Sequence, residues 1–325
     1  MNNKQLIINK IQELINDKQV PGVSYSFVDT NNIEEHYLGN QGYVDPFLIP
    51  LSKDMYYDVA SVSKVVATTT RILQLLEENK LTLDTKVSSI LSKFKHQDVT
   101  IENLLMHNSG LATDLKDKTN LTKEKILTEV YTTPLEYPTG EKAIYSDIGF
   151  ILLGEVIVAI DKISLEETMQ KHIFQKLNMN HTSYIVTDDK KLYVPTEYKA
   201  DRGGFIQGET HDTKGYLLGP SGHAGIFSSL YDLSLFAQAF FKPNTLLKPE
   251  TIELLKEKTV HGRGLGWEKK YGDQIINHTG FTGTSMVIDL DKQQAFVFLT
   301  NRVHPSRDTP QFLEERNNLN ILFTE

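Results

Sequence analysis

Cysteine is absent from this sequence of 325 residues. The absence excludes disulfide bonds, thiolate metal sites and a cysteine nucleophile. The sequence also lacks an excess of positive charge, since its 34 lysine and arginine residues are outnumbered by 42 aspartate and glutamate residues, and it has no long basic run. A general binder of phosphate backbones needs a basic surface, so nucleic acid is not a predicted partner.

Long hydrophobic runs are missing as well. Residues 1–15 mix polar and apolar side chains, which is typical of an amphipathic helix and not of a signal peptide. The most apolar stretch, residues 148–160, contains Glu155 and is far shorter than the roughly 20 residues that span a bilayer. We therefore expect no membrane span and a cytoplasmic protein, with association with a surface left open.

The composition that remains is that of a globular protein, with 39% hydrophobic and 23% charged residues. Strand patterns occur near both ends of the chain: residues 22–29 and 33–38 predict a hairpin with one buried face, and residues 284–290 and 294–300 predict another. The patterns between them are mostly helical, with a capping box at Ser164 to Glu167.

We therefore predict an α+β fold, an α/β sandwich in which an antiparallel sheet from both chain ends is flanked by helices. Residues 1–75 and 195–325 form the predicted sheet domain, and residues 76–194 form an inserted, mostly helical subdomain.

Ser61 lies in the first turn of a helix predicted over residues 62–79, and Lys64 follows three residues later on the same face. A desolvated lysine whose pKa is lowered by burial can activate a serine as a nucleophile. Taken alone, this spacing fits a helix-capping serine and a surface lysine better, because it occurs by chance in many proteins.

Two further blocks change that balance. Tyr145, Ser146 and Asp147 follow a Pro-Thr-Gly turn, where the tyrosine is either structural or turned toward a cleft. His278, Thr279 and Gly280 begin a block, residues 278–285, at the start of the strand predicted over residues 284–290, where small residues let a substrate backbone lie along the edge.

The order S-x-x-K, Y-S-D, H-T-G resembles the class C beta-lactamase family in its broad sense, which includes low-molecular-weight penicillin-binding proteins, D-amino-acid peptidases and esterases. The resemblance covers almost the whole chain. It includes LLMHNSGL at 104–111, GHAGIFSS at 222–229, GLGW at 264–267 and LTNRVHP at 299–305.

The resemblance implies a beta-lactamase/transpeptidase-like fold and an acyl-enzyme cycle on an ester, an amide or a D-amino-acid-containing substrate. Ser61 would be the nucleophile, with Lys64 and Tyr145 transferring its proton and the backbone N–H groups of Ser61 and Phe281 forming the oxyanion hole. The implied substrate-binding residues are Asp147, His278, Thr279 and Gly280. The substrate would be a small or peptidoglycan-derived molecule, and neither a metal nor an organic cofactor is required.

Two positions depart from relatives that attack beta-lactams, which commonly carry Asn in place of Asp147 and Lys in place of His278. A carboxylate donates no hydrogen bond and a histidine is mostly neutral at pH 7, so anchoring of an anionic substrate should weaken. One hypothesis is that Asp147 favours a substrate ammonium, as in a D-aminoacyl ester or amide. A structural role as a partner of Lys64 or as a turn former is equally open.

Rival readings explain fewer of these blocks. No H-x-H or H-E-x-x-H pair supports a metallohydrolase, and isolated histidines such as His107 and His223 fit scaffold roles better. No G-x-S-x-G motif supports a lipase-like triad. From another class, a penicillin-binding or sensor protein that is acylated with negligible turnover stays open, because linear spacing does not reveal how water is activated.

Overall fold

The structure is a computed structural model that describes residues 3–187 and 189–325. Its α-helices are α1 (Asn3–Asn16), α2 (Thr70–Glu77), α3 (Val87–Ile90), α4 (Ile101–Leu105), α5 (Lys123–Thr132), α6 (Asp147–Asp161), α7 (Leu165–Met169), α8 (Thr213–Leu218), α9 (Leu230–Ala239), α10 (Pro249–Glu257) and α11 (Pro310–Thr324). Its strands are β1 (Gly22–Asp29), β2 (Ile33–Gly39), β3 (Tyr57–Asp58), β4 (Tyr198–Lys199), β5 (Gly204–Phe205), β6 (Phe227–Ser228), β7 (Ile275–Thr279), β8 (Ser285–Asp289) and β9 (Gln294–Thr300).

The central sheet joins the two ends of the chain. Its five strands are antiparallel neighbours in the order β2-β1-β9-β8-β7, so the N-terminal hairpin pairs directly with the last strand. Helices α1 and α11 pack against each other on one face, and α9 contacts β1 and β9. The predicted sheet from both chain ends, flanked by helices, is confirmed.

Strand β1 is buried on both faces, whereas its alternating pattern predicted one buried face. The polar face is covered because helices lie on either side of the sheet. Its hydroxyls find internal partners there: Ser24 Oγ lies 2.8 Å from Tyr57 OH, and Ser26 Oγ lies 2.7 Å from Ser234 Oγ. Hydrogen bonding therefore compensates the burial of small polar residues at these positions.

The segment between the sheet-forming ends is built mostly from helices and turns. Helix α6 contacts helices α2, α4, α5 and α7, and most of its apolar residues are fully buried. The predicted capping box is present, with Ser164 Oγ accepting from the N–H of Glu167 at 3.2 Å. The boundaries of the helical subdomain at residues 76 and 194 stay a prediction.

No helix in residues 3–187 and 189–325 combines the length and the apolar composition that crossing a membrane requires.

Candidate active site

Ser61 lies in a tight turn that its neighbours hold in place. The buried carboxylate of Asp58 accepts from the backbone N–H of Ala60 at 2.8 Å and from that of His211 at 2.7 Å. Ala60 itself has φ +48°, in the left-handed region that disfavours a residue with a Cβ. A strained residue next to a candidate nucleophile is a feature that functional sites often retain.

The helix that follows is not regular at its start. Ala60–Val62 form a 3₁₀ turn and Lys64–Thr69 a π-helix, so regular α-helix begins only at Thr70. The sequence predicted a single helix over residues 62–79. Short π-helical segments such as Lys64–Thr69 are frequent at functional sites.

The structure brings Ser61, Lys64 and Tyr145 together. Lys64 Nζ donates to Ser61 Oγ at 3.0 Å, and Tyr145 OH donates to the same oxygen at 2.7 Å. The Lys64 side chain is fully buried, and its ammonium also donates to the carbonyl of His223 at 2.7 Å. Lys64, three residues from Ser61, and Tyr145, 84 residues from it, therefore meet at the Ser61 hydroxyl.

Asp147 stands in the first turn of α6 and makes ion pairs with two lysines. Its Oδ1 lies 2.8 Å from Lys64 Nζ, and its Oδ2 lies 3.3 Å from Lys214 Nζ. Lys214 in turn contacts Asp114 at 2.8 Å and Asp212 at 3.3 Å. Both carboxylate oxygens of Asp147 thus face lysine ammonium groups, and Asp147 is an ion-pair partner of Lys64.

These pairs set the protonation of the site. Burial alone would lower the pKa of Lys64, but the charges of Asp147 and Tyr145 outweigh it and leave that pKa raised. Burial raises the pKa of Tyr145, and Lys64 offsets this only in part. Burial would also raise the pKa of Asp147, yet attraction to Lys64 holds it lowered. The expected lowering of the Lys64 pKa is therefore wrong, because it considered the burial of the lysine and not the charge of Asp147.

His107 packs against Tyr145 and hydrogen-bonds to the backbone of the next residue. Its ring lies 4.7 Å from the Tyr145 ring, and its Nδ1 accepts from the backbone N–H of Ser146 at 3.0 Å. Burial, followed by the charge of Arg263, holds the pKa of His107 well below its ordinary value. A neutral imidazole thus fixes the backbone that presents both Tyr145 and Asp147, consistent with a scaffold role.

The strand predicted to follow the H-T-G block forms as β8, but the block itself ends a further strand that the sequence did not predict. His278 and Thr279 end β7, and Gly280 begins the turn into β8, because the hairpin partner starts only at Ser285. β7 is the edge strand of the sheet, as an extended substrate would need.

His278 is almost fully buried, with Nδ1 donating to the carbonyl of Thr279 at 3.0 Å. Burial is the main cause that lowers its pKa to about 3, so the ring is neutral at pH 7. His278, Thr279 and Gly280 lie beside the Ser61 turn and do not line the cavity described below.

Gly280 brings this turn against the nucleophile. A Cβ at this position would lie 2.5 Å from the carbonyl oxygen of Val59 and 2.1 Å from Thr284 Oγ1, so only glycine fits. The carbonyl of Gly280 accepts from Arg316 Nη1 at 2.8 Å. The N–H of a trans peptide points opposite to its C=O, so this bond directs the Phe281 N–H away from Arg316.

A cavity of about 550 Å³ opens in front of Ser61, Tyr145 and Phe281. Its acidic lining residues are Asp114, Asp147, Asp201 and Asp212, and its basic ones are Lys118, Lys199, Lys214 and Arg307. Apart from Asp147, sequence reasoning missed this charged lining. The H-D-T-K run at 211–214 was the one local signal, and it has no periodicity or motif that assigns it to a site.

Asp147, Asp212 and His223 offer ligand atoms within 4.8 Å of one another, a spacing that suits a cation. The ammonium of Lys214, 3.3 Å from each of the two carboxylates, already supplies positive charge there. The expectation that no metal is required stays a prediction.

Comparison with known proteins agrees with the fold and the motifs. A profile described as Beta-lactamase matches residues 7–316. An N-acetylmuramyl-L-alanine amidase of Bacillus subtilis (strain 168) is 28% identical over 315 residues, covering 80% of this chain and 70% of the relative. A putative D-alanyl-D-alanine carboxypeptidase of Escherichia coli O157:H7 is 27% identical over 357 residues, covering 91% and 81%.

Among solved structures, a class C beta lactamase superimposes with a TM-score of 0.78 at 20% identity and covers 98% of this chain and 96% of its own. This likeness confirms the predicted beta-lactamase/transpeptidase-like fold. The profile match spans nearly the whole chain, and the chain therefore belongs to the beta-lactamase family, in which its relatives are serine hydrolases.

Proposed function

We propose that this protein hydrolyses an amide or ester bond in a small peptidoglycan-derived substrate through an acyl-enzyme on Ser61. The observation that carries the proposal is that Lys64 Nζ and Tyr145 OH both reach Ser61 Oγ, at 3.0 and 2.7 Å, at the wall of an open cavity. A serine held between two proton-transferring groups beside a substrate-sized space is what nucleophilic catalysis needs.

Attack requires the Ser61 proton to leave as Oγ bonds to the carbonyl carbon. When Lys64 is an ammonium and Tyr145 a phenol, both donate to Ser61 Oγ and neither accepts its proton. The reactive form has therefore lost one proton from this pair, which leaves a phenolate or an amine as the base. Since both pKa values are raised, that form is a minority at neutral pH and grows as the pH rises.

The backbone N–H groups of Ser61 and Phe281 would stabilise the oxyanion of the tetrahedral intermediate. The proton taken from Ser61 passes to the leaving nitrogen or oxygen as that bond breaks. Water then attacks the acyl carbon, gives its proton to the same base, and Ser61 recovers a proton as the acyl group departs as an acid.

Asp147 acts in this proposal through Lys64. Its Oδ1 lies 2.8 Å from Lys64 Nζ and its Oδ2 faces Lys214, so it holds the lysine as an ammonium beside the phenol. A positive Lys64 favours the phenolate form of Tyr145, which supports Tyr145 as the group that takes the Ser61 proton.

The relatives support the substrate class. The Bacillus subtilis relative is an amidase of N-acetylmuramyl-L-alanine, and the Escherichia coli relative is described as a putative D-alanyl-D-alanine carboxypeptidase. A cavity of about 550 Å³ suits a ligand of the size of such fragments.

The decisive experiment is intact mass spectrometry after treatment with a fluorophosphonate or a fluorescent penicillin. The wild type should gain one adduct mass and Ser61→Ala none. Labelling of Ser61→Ala to the same extent would contradict the proposal. A parallel panel of p-nitrophenyl esters, nitrocefin and muramyl or D-aminoacyl amides then identifies the class of bond.

Burst kinetics separate hydrolysis from acylation without turnover. A hydrolase continues at a steady rate after the first stoichiometric release of product. A burst with no steady state on every substrate would instead identify a penicillin-binding or sensor protein.

A further inference from the structure

Beside Phe281 the cavity is lined by cations gathered around one carboxylate. Glu197 accepts from Arg307 through a two-pronged contact, Nε at 2.7 Å and Nη2 at 2.6 Å. Lys199 Nζ lies 3.8 Å from the same carboxylate, and His211 Nε2 lies 2.9 Å from it. Lys199, Arg307 and His211 all line the cavity.

Among the charged side chains beside Phe281, cations outnumber carboxylates. Burial is the largest cause that lowers the pKa of His211, to about 4, so its ring is neutral at pH 7. Two permanent cations therefore share one buried anion. Asp201 also lines the cavity and is exposed, and Arg302, beside Phe281, adds a third cation.

The two lining cations retain donors that no residue in 3–187 or 189–325 occupies. Lys199 Nζ has no hydrogen-bond partner there, and its contact with Glu197 is long at 3.8 Å, although its side chain is only 18% exposed. Arg307 uses Nε and Nη2 on Glu197, which leaves Nη1 without a partner in the same residues. A poorly solvated ammonium without a hydrogen-bond partner, next to a half-exposed guanidinium with an unused N–H group, favours an incoming anion.

The lowered pKa of Lys199 agrees with this excess of positive charge. Burial, the largest cause, lowers the pKa of Lys199; Glu197 opposes it, and Arg307 lowers it further. A bound anion would relieve both the burial and the repulsion.

We propose that Lys199 and Arg307 form a subsite for an anionic group of the substrate, a carboxylate or a phosphate, in the part of the cavity beside Phe281. This inference rests on the proposed function, because it assigns a substrate feature to the cavity that Ser61 serves. It locates anion recognition away from the strand motif, where the buried, neutral His278 offers no positive charge.

The ring of Phe281 lies beside the subsite and lines the same cavity as Ser61. It is 46% exposed, stacks on the His211 ring at 5.5 Å and lies 5.2 Å from the Arg307 guanidinium. An apolar linker of the substrate can therefore pack on Phe281 while the anionic group reaches the cations.

The test compares p-nitrophenyl esters whose acyl chains end in a carboxylate with the same esters capped by a methyl group, over the lengths from succinate to suberate. The readout is the ratio of kcat/KM for the acid to kcat/KM for its methyl ester. At the best chain length, Lys199→Gln should lower this ratio by about tenfold, the loss of one charge-assisted hydrogen bond. Arg307→Lys, which keeps the charge but loses the planar fork, should lower it less.

Lys190→Gln is the matched control. Lys190 is 58% exposed, pairs with Glu209 at 3.1 Å and does not line the cavity. Its substitution removes one positive charge and should leave the ratio unchanged. An equal ratio in wild type and Lys199→Gln at every chain length would overturn the subsite, and so would an equal fall in Lys190→Gln.

A failure of the proposed function would give a different result from a failure of the subsite. In that case Ser61→Ala would hydrolyse these esters as fast as the wild type, whatever the ratio.

Competition then identifies the anion: free glutarate and inorganic phosphate are each added to hydrolysis of a methyl-capped ester. Inhibition that weakens in Lys199→Gln supports the subsite and shows which group it prefers, whereas inhibition by both that is equal in the two proteins contradicts it.

Discussion

The carboxylate of Asp147 contacts Lys64 directly, and we propose that it controls the proton balance around Ser61. The same negative charge raises the pKa of both Lys64 and Tyr145. Substitution of Asp147 therefore changes the pKa of the proposed base without removing any group that hydrogen-bonds to Ser61 Oγ.

We expect Asp147→Asn to move the rising alkaline limb of kcat/KM to lower pH. Loss of the carboxylate lowers the pKa of Lys64 and of Tyr145, so the form that has lost one proton becomes populated at lower pH. The measurement is a pH profile with a neutral ester. Asp114→Asn is the control, since Asp114 contacts Lys214 and not Lys64, and its profile should stay close to that of the wild type.

A limb that stays in place or moves to higher pH in Asp147→Asn would contradict this role. The same variant also tests whether Asp147 contacts the substrate. In that case the preference for cationic over neutral esters would fall in Asp147→Asn, whereas a carboxylate that acts only on Lys64 leaves this preference unchanged.

At the scale of the elements, the end of β7 must approach the Ser61 turn closely. Gly280→Ala would force a Cβ to within 2.5 Å of the Val59 carbonyl. We expect a loss of about 1–3 kcal/mol in the free energy of unfolding, as for other overpacked sites, together with a fall in kcat as the peptide of the proposed oxyanion hole moves. Urea denaturation and ester hydrolysis measure the two effects.

Gly149→Ala is the matched control on α6. The atoms nearest to its added Cβ would belong to Leu104, at 3.6 Å or more, which is ordinary van der Waals contact, and alanine favours a helix by about 0.5–1 kcal/mol over glycine. We expect this variant to be at least as stable as the wild type. Equal destabilisation by both substitutions would contradict the close approach at Gly280.

Helix α11 contributes a positioning residue to the same peptide. Arg316 Nη1 donates to the carbonyls of Gly280 at 2.8 Å and Thr284 at 3.2 Å. We expect Arg316→Met to lower kcat by roughly tenfold with little change in KM, a smaller loss than the ~10²–10³ seen when an oxyanion donor itself is removed. Arg316→Lys should recover part of kcat. A rise in KM with an unchanged kcat would contradict the role.

At the scale of the whole molecule, the two chain ends stabilise the sheet that carries β7. Phe312 of α11 is fully buried in a cluster with Phe296 and Phe298 of β9 and residues of α1. We expect Phe312→Ala to cost about 3–5 kcal/mol in the free energy of unfolding. Leu313→Ala, at a side chain that is 43% exposed, should change it by about 0.5 kcal/mol or less. Equal denaturation midpoints for the two variants would contradict this assignment.

The sheet and the family were predictable because both depend on local pattern. Alternating apolar residues at the two chain ends specify strands, and the motif blocks containing Ser61, Tyr145 and His278 identify relatives with the same fold. The irregular helix start after Ser61 and the burial of both faces of β1 were not predictable, since they depend on what packs against them.

The sequence by itself determined which residue types were available for chemistry and which strands and helices could form, because propensity and periodicity act over a few neighbouring residues. Only the tertiary structure decided the pairing of Asp147 with Lys64, the turn that Gly280 brings against Ser61, and the gathering of Lys199 and Arg307 around Glu197. Charges and contacts between residues far apart in sequence depend on distance in space, which a linear pattern does not encode.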